Sequence, residues 1–175
     1  PLPPDENEPE NVAKAAKKLG LRHVVLTCST RDDLPDGGAE HFAKTVRAIR
    51  RLCPGATVET LISDMKMNTA ALDIIAEVHP DVINHNVETV KELQKVIRPQ
   101  ADYERSLNVL RYFKQKDATL LTKTGFMVGL GETEEQIDAL LDDVLATGCD
   151  ILTIGQYLQP TKEHYPLKRY ATPED

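Results

Sequence analysis

At 175 residues, with 41% hydrophobic and 28% charged side chains, the chain is about the size of one domain and can bury a real core. A formal charge of −7 argues against a nucleic-acid backbone as the main partner, because phosphate binding wants a basic face, yet it leaves room for a local cationic pocket. No apolar run approaches the roughly 20 residues that span a bilayer, and the start, Pro1 to Glu10, lacks the basic-then-apolar form of a signal peptide.

Helix-like and strand-like stretches alternate along the chain. An amphipathic helix is expected over Glu10–Leu19, with Gly20 as its C-cap. The run His23–Ser29 is short, apolar and β-branched, as buried parallel strands are. Ala39–Leu52 carries Phe42, Val46 and Ile49 at helical spacing and stops before Pro54. A second strand is expected over Thr57–Ser63, then a helix over Thr69–Val78 with Leu72, Ile75 and Ala76 on one face. Asp81–Val87 reads as the third strand, Tyr103–Gln115 as the next helix and Leu120–Val128 as the fourth strand. Thr133–Ala146 opens with Thr133-Glu-Glu-Gln136, a capping box. Ile151–Leu158 is the fifth strand.

This alternation with short connections implies parallel strands joined by right-handed crossovers, forming an open sheet or most of a barrel. In either case the working residues sit where the chain leaves the C-terminal ends of the strands. Polar and glycine residues concentrate at those ends, while the strand starts are plain. A ligand site predicts that asymmetry.

Gly125-Phe-Met-Val-Gly129-Leu-Gly131-Glu132 is the best local signal. Glycines at a strand end admit a ligand close to the backbone, and the next helix N-terminus offers unpaired N–H groups. The competing reading is a tight turn with Glu132 as a helix-dipole partner. In Asn84-His85-Asn86-Val87-Glu88 the two-residue period puts Asn84, Asn86 and Glu88 on one face and His85 on the other. Amides and a carboxylate on one side suit a polar ligand such as a ribose. Alternatively Glu88-Thr89 caps the next helix, and His85 by itself reads as a hydrogen-bonded core histidine. In the charged loop Arg31-Asp32-Asp33-Leu34-Pro35-Asp36-Gly37-Gly38 a carboxylate could hold an ammonium and Arg31 a carboxylate. For Asp36 the solvated turn ahead of the Ala39 helix is the preferred reading. Arg98 and Lys123 are isolated cations that could meet a substrate carboxylate or pair with nearby acids.

The three cysteines, Cys28, Cys53 and Cys149, match neither a metal motif nor a small disulfide scaffold. Cys53 and Cys149 read as small apolar core residues of a protein from a reducing compartment; Cys28 stands apart because it falls at a strand end. The missing initial Met and the closing Thr172-Pro173-Glu174-Asp175, an N-cap with Pro at the first helical position, are what a fragment would show. The expected organisation is one domain, 1–175, truncated at both ends.

Taken together, several long stretches resemble lipoyl synthase. They are Arg31-Asp-Asp-Leu-Pro-Asp-Gly-Gly-Ala-Glu-His-Phe42, Pro80-Asp-Val-Ile-Asn-His-Asn-Val-Glu-Thr-Val90, Arg98-Pro99, Leu121-Thr-Lys-Thr-Gly-Phe-Met-Val-Gly-Leu-Gly-Glu-Thr133, Asp150-Ile-Leu-Thr-Ile-Gly-Gln-Tyr-Leu-Gln-Pro160 and His164-Tyr-Pro166. The resemblance implies an α/β fold, a partial (β/α) TIM-type barrel of the radical S-adenosylmethionine (SAM) kind. It implies reductive cleavage of SAM to a 5′-deoxyadenosyl radical and insertion of two sulfur atoms at C6 and C8 of a protein-bound octanoyl chain. It further implies two 4Fe–4S clusters, one binding SAM and an auxiliary one consumed as the sulfur source. Cofactors carry such chemistry and the protein orients them.

Carried over residue by residue, Thr27, Ser29 and Asp32 fall where the methionine part of SAM is held, and Asn84, Asn86 and Glu88 match the strand motif beside its ribose. Gly125, Met127, Gly129 and Glu132 match the G-x-I-x-G-x-x-E element near adenine, while Tyr157, Leu158 and Gln159 face the nucleoside from the last strand. Arg31, Arg98 and Lys123 are the candidate substrate contacts. Implied partners are an octanoylated lipoyl-carrier domain or glycine cleavage H protein and an electron donor such as ferredoxin or flavodoxin. The implied compartment is the bacterial cytoplasm or mitochondrial matrix.

Two departures stand out. Cys28-Ser29 replaces the Ser-Val of the family pattern, and Ser63-Asp-Met-Lys-Met-Asn68 differs from Pro-Asp-Phe-Lys/Arg-Gly. Both cysteine triplets, C-x3-C-x2-C and C-x4-C-x5-C, would precede Pro1 and the C-terminal serine ligand would follow Asp175. No metal ligand and no catalytic residue is therefore assigned in this chain, and the segment alone is expected to be inactive. The alternatives are a biotin synthase-like radical SAM sulfurtransferase, a cluster-free remnant that binds SAM or a partner, and, on fold alone, a phosphate-binding barrel isomerase.

Overall fold

The computed structural model describes residues 2–27 and 29–172. Its strands are β1 (His23–Thr27), β2 (Thr57–Leu61), β3 (Val82–Asn84), β4 (Thr122–Val128) and β5 (Ile151–Gln156). They form one all-parallel sheet in the order β1-β2-β3-β4-β5. Helix α1 (Glu8–Leu19) precedes β1. The crossovers contain α2 (Ala39–Leu52), α3 (Thr69–Glu77), the short α4 (Gln94–Ile97) with α5 (Tyr103–Lys116), and α6 (Glu134–Leu145).

Strand order that advances one place at a time, with crossovers of one hand, sends every helix to the same face of the sheet. A doubly wound sheet needs a reversal of strand order, and none occurs here. The sheet is therefore an arc of a barrel. Among the described residues no helix is long and apolar enough to cross a membrane.

The helical layer packs in two clusters. Val24 and Leu26 of β1 and Val58 of β2 meet Ala13, Ala16, Val46, Ile49, Leu72 and Ile75 from α1, α2 and α3, with none more than 9% exposed. Val87 and Phe126 meet Tyr103 and Leu107 of α5 and Leu140 and Val144 of α6. Each fully buried aliphatic side chain here contributes about 1.5–3 kcal/mol relative to exposure. Cys53 packs against the first cluster and Cys149 against the second; Cys28 lies outside the described residues, as does the Pro173 helix start.

Local chemistry explains the element ends. Gly20, at φ 65°, donates to the Lys17 carbonyl while Leu21 donates to Ala16, the paired bonds of a Schellman stop. At the start of α6, Thr133 Oγ1 accepts from the Gln136 N–H and the Gln136 side chain accepts from the Thr133 N–H. Asp36, read as part of a turn, accepts from the N–H groups of Gly38 and Glu40 and so ties off the start of α2.

Most expected element ends shift by a residue or two, but the third strand is shorter than its hydrophobic run. Its ladder ends with Asn84 opposite Lys123 and resumes as a single bridge of Glu88 to Phe126. Four steps on one side thus oppose three on the other, which is a bulge. The Thr124 hydroxyl fills the gap, accepting from the Val87 N–H at 3.2 Å and donating to the His85 carbonyl at 2.8 Å. The extra residue interrupts the regular ladder after Asn84, while Asn86 and Glu88 still reach the same cavity above the Asn84 row. Glu88, at φ 76°, leaves the strand path and does not cap a helix.

Two short elements escape periodicity altogether, α4 and the turn Met65–Met67. All three turn residues are left-handed, at φ 44°, 50° and 56°. That conformation costs roughly 1–2 kcal/mol for a residue with a Cβ. It is held by buried Met65 and by Asp64 accepting from the Lys66 N–H at 2.9 Å.

The capping box gives a direct stability test. Thr133→Ala is expected to lower the unfolding free energy by about 1 kcal/mol, read as a fall in the urea midpoint with an unchanged slope. An unchanged midpoint would show that the cap contributes nothing.

Candidate functional site

The C-terminal ends of the strands open into a cavity of about 510 Å³, within the range of small-molecule sites. Thr27 and Leu61 line its base, Asn86 and Glu88 one wall, and the segment Ile97–Ala101 another. Three acid–base pairs sit around it: Asp32 with Lys66 at 3.1 Å, Asp64 with Arg105 at 2.7 Å, and Glu88 with Arg98 at 3.3 Å. A ligand bearing both signs of charge could exchange with such pairs, each charge finding its opposite. A second cavity of about 400 Å³ lies between the first residues, α1 and α2, with Thr27 shared between the two.

Below the first cavity the concave face carries a register row. Thr27 is opposite Leu61, Leu61 opposite Asn84, Asn84 opposite Lys123, and Lys123 opposite Ile151. One layer down is Glu59 of β2, 4% exposed. Its carboxylate accepts from Asn84 Nδ2 at 2.8 Å and from Lys123 Nζ at 3.0 and 3.2 Å, and His23 Nε2 lies 3.5 Å away. Burial is the largest influence on the Glu59 carboxyl and pushes it up. The hydrogen bonds from Asn84 and Lys123 and the nearby positive charge together outweigh it, so Glu59 is held below its ordinary range.

His85 lies on the helical side. Its Nδ1–H donates to the Ile62 carbonyl at 2.9 Å, and its Nε2 accepts from Ser106 Oγ at 3.0 Å, tying β2 to α5. Burial pushes its pKa down, ahead of the opposing Ile62 hydrogen bond, so the imidazole is neutral. It is the core histidine expected from its position.

The glycine run is closed by the protein's own chain. Glu132, 7% exposed, turns back on its loop and accepts from the N–H groups of Gly129 and Leu130 at 2.7 and 2.8 Å. The segment after β5 crosses above it, with the Lys168 N–H on the Gly129 carbonyl at 2.9 Å. A Cβ on Gly129, at φ 99°, would meet the Gln156 amide and come within 2.6 Å of the Arg169 carbonyl oxygen. Gly125 serves a different purpose. A Cβ there would lie 2.6 Å from Thr153 Oγ1 and 3.1 Å from Asn86 Oδ1, so its absence lets both side chains lean across β4.

The sequence candidates are therefore divided. Thr27, Asp32, Asn86, Glu88 and Arg98 line one cavity. Asn84 sits in the row at its base, and Ser29 and Arg31 line the second cavity. Arg31 grips Asp33 through two bonds of 2.8 and 2.7 Å, and that grip holds the Asp33 carboxyl at about 2. Lys123 is engaged by Glu59. Met127 donates its N–H to the Glu88 carbonyl, Tyr157 its hydroxyl to the Tyr165 carbonyl at 2.8 Å, and Gln159 its amide to Thr161 and His164; Leu158 is 64% exposed. None of the last four lines either cavity.

Glu59, Arg105 and Ser106 were missed by sequence reasoning. A charged residue in the middle of Thr57-Val-Glu-Thr-Leu61 was a legible signal for the first, because parallel strands buried on both faces are otherwise apolar. Arg105 and Ser106 lie inside a helix pattern, where nothing marks them out. Among the described residues no group of three or more His, Cys, Asp or Glu could hold a metal ion.

Comparison with known proteins identifies the family and the fold. The profile of the Radical SAM superfamily matches residues 2–144. The chain is 55% identical over 174 residues to a lipoyl synthase of Caldanaerobacter subterraneus subsp. tengcongensis, covering 99% of this chain and 61% of that protein. It is 55% identical over 171 residues to one of Rubrobacter xylanophilus, covering 98% and 53%. The chain thus spans between half and two thirds of the length of the curated relatives it matches. Among solved structures, the crystal structure of Streptococcus suis SuiB shares the fold with a TM-score of 0.71 at 15% identity, covering 92% of this chain and 35% of that one. The same protein bound to S-adenosylmethionine gives 0.68 at 16% identity over 92% of this chain and 34% of that one.

Two stability outcomes follow. Gly129→Ala is expected to cost about 2–4 kcal/mol, because the methyl group clashes with backbone at a φ only glycine tolerates; a melt unchanged from the parent would remove the strap contact. Lys123→Met strands the buried Glu59 charge and is expected to cost about 3 kcal/mol at pH 7. Glu59 has a depressed folded pKa, so its contribution is present above the ordinary value of 4.5 and is lost as pH falls through the folded value. The gap between parent and Lys123→Met should accordingly shrink below pH 4.5, and a gap independent of pH would mean that the pair carries no charge.

Proposed function

The chain belongs to the radical SAM superfamily, and from that premise we propose that it is the SAM-binding barrel of a lipoyl synthase, which inserts two sulfur atoms at C6 and C8 of a protein-bound octanoyl chain. The observation that carries the reading is 55% identity to lipoyl synthases over 98–99% of this chain, a match that runs through every strand end lining the cavity.

The residues present suit SAM. Asn84 Oδ1 and Asn86 Oδ1 are buried acceptors with no partner in the protein, and an unpartnered buried acceptor calls for a donor. SAM offers ribose hydroxyls and an ammonium. In this reading Asn86 and Glu88 bind on the ribose side and Asp32 takes the ammonium end, displacing Lys66. Arg98 supplies the cation for a carboxylate. The ion pairs already in place hold these groups in position before the ligand arrives, which lowers the ordering cost of binding. The Ile97–Ala101 segment closes one side of the site.

When bound, SAM and an iron–sulfur cluster supply the one-electron chemistry that removes hydrogen from unactivated carbon. The ligands of the SAM cluster, and of an auxiliary cluster as sulfur source, are assigned to parts of the longer protein outside these 175 residues. The substrate is assigned as an octanoylated lipoyl-carrier domain or glycine cleavage H protein, with ferredoxin or flavodoxin as electron donor. Bacterial cytoplasm or mitochondrial matrix is the corresponding location.

The test is to incubate the full-length, cluster-reconstituted protein with an octanoylated carrier domain, SAM and dithionite. A carrier mass corresponding to two sulfur atoms replacing two hydrogens is expected, whereas SAM cleavage with an unchanged octanoyl group would overturn the assignment. In the same protein Asn86→Ala is expected to weaken SAM binding by roughly tenfold, the worth of about one buried hydrogen bond. Unchanged affinity by calorimetry would remove Asn86 from the site.

A further inference from the structure

Glu59 is a buried carboxylate in the middle of a parallel strand, where burial without partners is costly. Its partners come from the three other strands that flank it on the concave face: His23 of β1, Asn84 of β3 and Lys123 of β4. One of those partners has a free choice that the others lack. A primary amide can offer either its nitrogen or its oxygen in a given direction, and its orientation is set by its neighbours. An ionised carboxylate only accepts. It therefore draws the Asn84 Nδ2 end towards itself and sends Oδ1, on the other side of the same carbon, away from the Glu59 layer. That oxygen is buried and has no partner in the protein. Asn84 shares its register row with Leu61 and Thr27, which both line the cavity. Two residues on, Asn86 Oδ1 is likewise buried and unpartnered.

We propose that Glu59 is a positioning residue: by accepting from Asn84 Nδ2 it fixes that amide with its oxygen towards the ligand, so that Asn84 and Asn86 together present an acceptor-only base to donor groups of SAM. The inference rests on the proposed identity of that ligand. Lys123 takes part indirectly. Its ammonium, 3.0 and 3.2 Å from the two Glu59 oxygens, keeps the acid ionised and hence acceptor-only. A glutamine at position 59 could donate as well as accept, and the Asn84 amide would then be stable in either orientation.

The two groups act through one contact, so their effects on binding cannot be independent. The measurement is SAM binding by calorimetry to the full-length, cluster-reconstituted protein carrying Glu59→Gln, Asn84→Ala, or both. Each single substitution is expected to weaken binding by roughly tenfold, and the double substitution is expected to bind no more weakly than the weaker single. Losses that multiply to roughly a hundredfold, or a Glu59→Gln protein that binds as tightly as the parent, would overturn the positioning role. If Glu59→Gln fails to fold because Lys123 is stranded, the cycle is run with the charge-free pair Glu59→Gln/Lys123→Met in place of Glu59→Gln against the same parent, and carries the same two outcomes. A parent protein that does not bind SAM at all would instead overturn the proposed function itself.

Discussion

Each strand of this chain hands over to the next on the same side, and the handedness of the crossover leaves the helices a single face to occupy. From that constraint comes the division of labour between the two surfaces of the sheet. The outer surface buries Val24, Leu26, Val58 and Phe126 under α1 to α6. The inner surface lies away from the two packed helical clusters, so it can carry His23, Glu59, Asn84 and Lys123 without breaking that packing. A doubly wound sheet with the same strands would have covered both faces with apolar side chains and left no inner surface on which to build a polar row.

The inner row shows how a charged group can be buried and still be useful. Glu59 is compensated by bonds from Asn84 of β3 and Lys123 of β4, with the His23 ring of β1 3.5 Å away, which is the condition under which an interior carboxylate stays ionised. Such a network contributes less to stability than its number of bonds suggests, because desolvation offsets most of the attraction. Its specific effect is directional: it decides which end of the Asn84 amide faces the cavity. The acid–base pairs at the rim, Asp32–Lys66, Asp64–Arg105 and Glu88–Arg98, are more exposed and more easily exchanged for ligand contacts.

Backbone irregularity is concentrated at the same end of the barrel. The bulge after Asn84, the left-handed Glu88 and the left-handed turn Met65–Met67 all border the cavity or carry residues that do. By contrast the opposite rim is held by plain structural bonds, such as Asp81 accepting from the Val58 N–H and Asp150 from the Thr122 N–H. Among the described residues four of the five left-handed non-glycine positions lie at the cavity end, the fifth being His79 at φ 48° on the opposite rim, a bias expected of a scaffold that supports a site.

Much was legible in the sequence. Periodicity and caps placed the main helices and every strand but the third within a residue or two, because amphipathic spacing and groups such as Gly20 and Thr133 act over a few residues. The strand ends marked the site side, and the long matched stretches marked the family. Tertiary structure alone decided the rest. Whether parallel strands curl into a barrel arc depends on strand order, which no local pattern encodes. Whether Glu132 faces a ligand or its own loop depends on where the N–H groups of Gly129 and Leu130 point. Whether Lys123 is an isolated cation depends on Glu59, 64 residues away in sequence and 3.0 Å away in space. Local propensity is a property of a few consecutive residues, whereas the partners of a buried polar group are chosen by the packing of whole strands.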